Sequence, residues 1–212
     1  MRVIITSGGT REYIDDVRVL TNISSGKLGK AVADAFSSTP HDVDYVYAKG
    51  AATPHSSRFM HEVTDVASVM RVLEDIVPKA DVLIHAMAVS DFGFKRDGAV
   101  KLKSNDPQAF VDYLRDNIVI NPKIISYVKK WNPNIRLVGF KFEVGKSVEE
   151  LTQLALESIE RNGCDIVVTN DKEEMNKAKS HIAHIVSPNG EVADVDGKKE
   201  IAKWLVNWVD SV

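Results

Sequence analysis

The sequence predicts an α/β fold: a doubly wound, mostly parallel sheet with an antiparallel hairpin late in the chain. Three observations carry this. Residues 2–6 (RVIIT), 81–85 (DVLIH) and 165–169 (DIVVT) are short apolar, β-branched runs, the pattern of strands buried on both faces of a parallel sheet. Between them lie stretches whose apolar residues recur at helical spacing. Near the end, Ile182–Val186 and residues 191–195 flank Ser187-Pro188-Asn189-Gly190, a turn signal between two strand-like runs. Strands and helices alternating in this way make a Rossmann-like sheet covered on both faces.

Taken in order, residues 2–6 run into Ser7-Gly8-Gly9, where a strand must turn. Residues 26–38 form a helix through Leu28, Val32, Ala35 and Phe36, with Ser24 or Ser25 as its cap. Residues 43–47 and Phe59–Val63 are strands. Residues 66–77 are a helix through Val69, Val72, Leu73 and Ile76, ended by Pro78. Residues 81–85 lead to Ala86-Met87-Ala88. Residues 92–107, glycine-containing, charged and without periodicity, read as a mobile surface loop. Residues 122–131 make a helix opened by proline, 136–142 a strand and 147–161 an amphipathic helix. Residues 198–209 close the chain as a helix with Ile201, Leu205 and Trp208 on one stripe.

Composition fits a single domain over residues 1–212. With 44% hydrophobic and 27% charged residues, 12 Gly and 7 Pro, the chain is neither collagen-like, disordered nor a disulfide scaffold. The net charge of −3 argues against a general nucleic-acid binder. Cys164, the one cysteine, can form no internal disulfide and no cysteine-based zinc site. No apolar run approaches the roughly 20 residues that cross a bilayer, and the opening strand lacks the parts of a signal peptide. A cytoplasmic protein without membrane or nucleic-acid partners is expected.

Ligands of open α/β sheets bind beyond the carboxyl ends of the strands. Those ends carry Ser7-Gly8-Gly9-Thr10, Ala86-Met87-Ala88-Val89-Ser90-Asp91, Glu143 and Asn170-Asp171, small or short polar residues that let a ligand approach the backbone. Ser24-x-Gly26-x-x-Gly29 imitates a dinucleotide fingerprint, with free N–H groups at a helix start as a phosphate site. Its distance from the first strand speaks against an ordinary NAD site, and phosphate binding is favoured over the alternative of a glycine-tolerant helix start. Individually, Arg18 and Lys101 read as solvated charges, Asp91 as a cap or Asx turn, and Phe140 as core. His181 and His184, three apart on a strand, face opposite sides, and no metal site is expected.

Together these segments resemble a known signature. The run Ser7-Gly8-Gly9-Thr10-Arg11-Glu12-Tyr13-Ile14-Asp15-Asp16-Val17-Arg18-Val19-Leu20-Thr21-Asn22-Ile23-Ser24-Ser25-Gly26-Lys27-Leu28-Gly29 is similar to that of phosphopantothenoylcysteine synthetases. Ala88-Val89-Ser90-Asp91-Phe92, Lys101-Leu102-Lys103, Asn121-Pro122, Gly139-Phe140 and Asn170-Asp171 follow in the family's order. The resemblance implies condensation of 4′-phosphopantothenate with L-cysteine through an acyl-nucleotidylate, with CTP as co-substrate in bacterial members and ATP in eukaryotic ones. It implies the synthetase without the flavin-dependent decarboxylase often fused to it.

Residue by residue, the resemblance implies catalytic roles for Asn22, which would hold the activated acyl group, and Lys101, a lid lysine. Gly9, Ser24, Gly26 and Gly29 would cradle phosphates. Asn121, Pro122, Phe140, Arg161 and Asn170 would serve the nucleotide, and Met87, Ala88 and Asp91 the pantothenate arm. Arg18 would reach the substrate of a neighbouring subunit, so a homodimer is implied, with the hairpin around Asn189-Gly190 as its contact. Mg²⁺ would ride on the triphosphate. Three departures stand out: Met87 where alanine is common, Ser104 where a third lid lysine is common, and Glu157 with Arg161 where CTP users carry two lysines. Two other readings stay open on fold alone: a short-chain reductase, which would require a full glycine fingerprint and a Tyr-x-x-x-Lys pair, and a non-catalytic nucleotide sensor.

Overall fold

The computed structural model describes residues 1–95, 101, 102 and 105–211. In chain order the elements are β1 (Arg2–Ser7), β2 (Arg11–Tyr13), β3 (Val19–Thr21), α1 (Lys27–Phe36), β4 (Asp42–Ala48), β5 (Phe59–Val63), α2 (Val66–Ile76), β6 (Val82–His85), β7 (Phe92–Phe94) and α3 (Pro107–Asn117). They continue with β8 (Ile118–Ile120), α4 (Ile125–Trp131), β9 (Arg136–Glu143), α5 (Val148–Asn162), β10 (Ile166–Asp171), α6 (Lys172–Ala178), β11 (Ile182–Val186), β12 (Val192–Asp196) and α7 (Lys198–Asp210).

Among the described residues, eight strands form one sheet in the order β12-β11-β10-β9-β6-β1-β4-β5. Neighbours from β5 to β10 run parallel, and β11 and β12 add an antiparallel edge, as the sequence predicts. Alternation along the strands builds two cores. Ile4, Leu83, Leu137 and Val167 pack under α2, α4 and α5, whereas Val3, Ile5, Ile84 and Val168 pack under α1 and α7. Burying each such side chain stabilises the fold by roughly 1.5–3 kcal/mol. Winding starts at β1, moves outward to β4 and β5, then returns to β6 on β1's other side. The ends of β1 and β6 are therefore the switch point.

Local chemistry explains most helix starts. Asp65 and Ser68 form a capping box at α2, Ser147 and Glu150 one at α5, and Asp171 caps α6 through two backbone N–H groups. At α1 the expected serine cap is absent. Gly26, at φ 71, is the N-cap, and no side chain closes the helix end.

The structure also adds elements. Residues 11–21 hold the ribbon β2–β3, residues 92–94 and 118–120 pair as β7–β8, and α3 lies between. Three-residue strands are too short to show a period, and α3 buries no residue fully, so neither carries a strong pattern. Asp106 capping a helix with Pro107 in its first turn was the readable signal. Helix α4 begins at Ile125, after Pro122. The expectation of a structureless loop over 92–107 is corrected at both ends, where Phe92–Phe94 form β7 and Pro107 opens α3; residues 96–100, 103 and 104, and with them Lys103 and Ser104, lie outside the described residues.

Candidate active site

At the switch point the loops after β1 and β6 are joined. The Thr10 N–H donates to the Ala88 carbonyl at 3.1 Å and the Ala88 N–H to the Gly8 carbonyl at 2.8 Å, so Gly9 and Ala88 pair as if the strands continued. Side chains brace this joint from below. Thr6 Oγ1 accepts the Met87 N–H at 3.2 Å and lies 2.9 Å from His85 Nδ1, and Thr10 Oγ1 accepts the Ser90 N–H at 2.9 Å. Burial pushes His85 down to about 4, so its imidazole is neutral and can accept the Thr6 proton. Gly9, Met87 and Ala88 thus come together on a buried polar floor.

Asn22 enters from the β2–β3 ribbon. The Thr21 hydroxyl donates to the Thr10 carbonyl at 2.7 Å, and the Asn22 amide donates to the Val89 carbonyl at 3.2 Å, across the joint. Gly9 has to be glycine for this: a Cβ there would stand 2.4 Å from the Asn22 carbonyl oxygen. A cavity of about 170 Å³ opens beside them, lined by Gly9, Arg11, Asn22, Ser24, Lys49 and Gly50 among others. Gly26 and Gly29 seat α1 on β1. The Ser7 hydroxyl donates to the Gly26 carbonyl at 3.0 Å, and a Cβ on Gly29 would stand 2.4 Å from Ser7 Oγ. The uncapped first N–H groups of α1 remain available to an anion.

A second group overhangs this floor. The Asp15 carboxylate accepts the backbone N–H of Val17 at 2.9 Å, Arg18 at 2.7 Å and Leu102 at 3.1 Å, and pairs with the Arg18 guanidinium. Arg18 also donates to the Leu102 carbonyl and lies 5.3 Å from the Phe110 ring centre. Exposed Lys101, next to Leu102, is thereby tied to the segment that leads into Asn22. Asn121 donates to the Ser90 carbonyl at 3.1 Å, and Asp91 pairs with Lys123 at 2.6 Å, placing Asn121, Pro122 and Asp91 beside the end of β6. Phe140 is half-buried on β9, and buried Asn170 donates its amide to the Ile182 carbonyl. Arg161 is not brought to them. It is exposed in the last turn of α5, whose other end meets Asp171 through Lys146, about 20 Å away at 1.5 Å per residue.

Residues 1–212 match the family model of the DNA/pantothenate metabolism flavoprotein C-terminal domain. The chain belongs to this family. A coenzyme A biosynthesis bifunctional protein CoaBC from Thermococcus kodakarensis is 40% identical over 80% of this chain and 41% of its own length. The crystal structure of the DNA/pantothenate metabolism flavoprotein from Streptococcus pneumoniae is 31% identical, with a TM-score of 0.88 over 100% of this chain and 99% of that one. A Cab2 mutant in complex with phosphopantothenate-cysteine shares the fold, with a TM-score of 0.75 at 18% identity over 99% of this chain and 86% of that one. The chain spans half or less of the length of the curated relatives it matches. The family resemblance and the fold read from the sequence are both borne out.

Within this flavoprotein C-terminal domain fold, several residues at the site escaped sequence reasoning. Thr6, Thr10 and His85 brace the joint, Asp15 anchors Leu102, and Arg11 and Lys49 line the cavity. Asp15 carried a readable signal, since short carboxylates bond to backbone two and three residues ahead. The others depend on strands that meet only in three dimensions. Tyr45 and Lys49 do stand at the spacing a short-chain reductase needs. Tyr45, however, is fully buried, donates its hydroxyl to the Ala52 carbonyl at 2.7 Å, and is pushed up to about 12 by burial, so it is no proton donor to a substrate.

Proposed function

We propose that this chain is a phosphopantothenate–cysteine ligase of coenzyme A biosynthesis, acting in the cytoplasm. The observation that supports it most is the Asn22 amide held across the β1–β6 joint, in a chain of this family. In the first step a carboxylate oxygen of 4′-phosphopantothenate attacks the α-phosphorus of CTP, forming an acyl-cytidylate and releasing pyrophosphate. In the second the cysteine amine attacks the acyl carbon, forms the amide with loss of a proton, and releases CMP.

Both steps need positive charge and donors around phosphate oxygens. The uncapped end of α1, Ser24 and the glycine-lined cavity serve that need, and Lys101 neutralises charge developing on the phosphates. Asn22 holds the activated acyl group, since an amide both donates and accepts. Met87, Ala88 and Asp91 receive the pantothenate arm, while Asn121, Pro122, Phe140 and Asn170 receive the nucleotide. Among the described residues no group of three His, Cys, Asp or Glu side chains could hold a metal ion, so Mg²⁺ would be carried by phosphate oxygens. A homodimer completes the reading: the resemblance puts its contact at the hairpin around Asn189-Gly190, and Val17, Val19 and Leu20 beside Arg18 are further exposed apolar surface for a second copy to cover.

Pyrophosphate release with 4′-phosphopantothenate, Mg²⁺ and CTP or ATP, with and without L-cysteine, tests it. Cysteine-dependent turnover with CTP is expected. Turnover with ATP alone would keep the reaction and overturn the base assignment, and a folded protein inactive with both would favour a nucleotide sensor.

A further inference from the structure

Arg11 lies between the floor and the overhanging ribbon. Its backbone is pinned on both sides: its N–H donates to the Thr64 carbonyl at 2.7 Å, and it pairs with Thr21 in the β2–β3 register. Its guanidinium crosses the loop after β4. There Gly50 adopts φ +83, and a Cβ on it would stand 2.8 Å from Arg11 Nη2 and 3.6 Å from Cζ. A side chain at position 50 would displace the guanidinium.

Four other arginines are paired, Arg2 with Asp44, Arg18 with Asp15, Arg58 with Asp42 and Arg115 with Asp112, whereas among the described residues Arg71, Arg136 and Arg161 form no ion pair, and of these none lines the cavity beside Asn22. Among the described residues the Arg11 guanidinium has no carboxylate, carbonyl or ring partner. It is half-buried, and it lines the cavity that contains Asn22 and Ser24. Lys49 lines the same cavity and no acidic side chain does, so two cations face a space without a counter-charge. At about 170 Å³ the space is large enough to take a phosphate group.

We propose that Arg11 is a phosphate-binding residue of this site, its guanidinium seated on Gly50 so that its fork closes on phosphate oxygens in the cavity it shares with Asn22 and Ser24. The proposal rests on the ligase reading for its ligand, a phosphate group supplied either by the nucleotide tail or by 4′-phosphopantothenate. An arginine suits the task because it presents two parallel donors to one phosphate, which a lysine cannot.

The test uses Arg11→Gln and Arg11→Lys, each checked for folding by its thermal melt. Calorimetric titrations with pyrophosphate, CTP, 4′-phosphopantothenate and pantothenate are run beside steady-state kinetics. Losing a charge-assisted bond should weaken binding of one phosphate-bearing ligand by about 10- to 100-fold. The matching KM should rise more than kcat falls, and Arg11→Lys should recover part of the loss. A loss confined to CTP and pyrophosphate assigns the nucleotide tail; a loss confined to 4′-phosphopantothenate, with pantothenate unaffected, assigns the substrate phosphate. A folded Arg11→Gln protein that binds all three phosphate ligands as the parent does overturns the proposal while leaving the ligase reading intact. Should the parent show no turnover with either nucleotide, the ligase reading fails, and the titrations with the three phosphate ligands still decide Arg11.

Discussion

The floor of the site and the ribbon above it are held in opposite ways. The floor is the joint between β1 and β6, where Thr6, Thr10, His85 and Ser90 are all buried and bonded to one another or to backbone. The ribbon consists of three-residue strands, exposes Val17, Val19, Leu20 and Ile23, and is tied to Leu102 mainly through the Asp15 carboxylate. A buried, fully bonded floor is preorganised and has little freedom to move. A short exposed ribbon has few buried contacts and belongs to the low-stability end of a fold. Asn22 stands where the two meet, so the site joins a fixed surface to an adjustable one.

The largest effect should come from changing chemistry at that meeting point without disturbing either region. Asn22→Asp replaces a donor with a carboxylate facing the Val89 carbonyl. The acyl-nucleotidylate should still form, while transfer to cysteine falls about 10²- to 10³-fold, the cost of losing one preorganised donor. A pyrophosphate burst followed by slow product formation is the expected trace; product formation at the parent rate would sink the role given to Asn22. Next comes Gly9→Val, which separates the two regions. Its Cβ would meet the Asn22 carbonyl oxygen at 2.4 Å, a backbone atom that cannot rotate away. Displacing Asn22 by about 1 Å should cost about 10²-fold in turnover. Far-ultraviolet circular dichroism should be unchanged, and a variant with normal turnover would show that the ribbon follows the floor.

The same contrast governs what the sequence reveals. The strands of the floor are legible because burial on both faces leaves continuous apolar runs, and the small residues after each run mark where a ligand can approach. Ser7-Gly8-Gly9 and Ala86-Met87-Ala88 are legible as strand ends; that they pair with each other is not, because it depends on strand order. The ribbon leaves no periodic trace, and its residues are readable as a set only through family resemblance. Arg11 shows the limit. Its neighbour Gly50 lies 39 positions away, and nothing local marks either residue as part of a cavity.

The floor can be probed by pH. His85 is pushed down by burial to about 4 from an ordinary 6.5, so the unfolded chain takes up a proton that the folded chain refuses. Its contribution is therefore present above about pH 6.5 and is lost as pH falls toward 4, about 3 kcal/mol over the window. His181 acts in the same direction. His184 acts oppositely: burial works to lower it, but Asp194 and Glu174 raise it further, so its contribution is present below 6.5 and lost at higher pH. Urea denaturation of the parent and of His85→Asn at about pH 7 and about pH 5 separates these contributions. The variant should lose less stability on acidification, and equal losses would show that the floor does not depend on a neutral His85.

The smallest effect should come from loosening the ribbon. Burial works to raise the Asp15 carboxyl, but donors from Val17, Leu102 and Arg18 outweigh it and hold it below the usual range, so it stays ionised through the neutral region. Asp15→Asn keeps the shape and removes the charge that gathers those donors. Turnover should fall by roughly three- to tenfold, because the bonds to Leu102 weaken while the chemistry at Asn22 is untouched. A purely structural role would lower the melting temperature and leave Lys101 as it was. An anchoring role should instead raise the rate at which an acylating reagent labels Lys101, read by mass spectrometry, with little change in melting temperature. Unchanged labelling with a lowered melting temperature would make Asp15 a turn former and nothing more, and would place the control of Lys101 elsewhere in the ribbon.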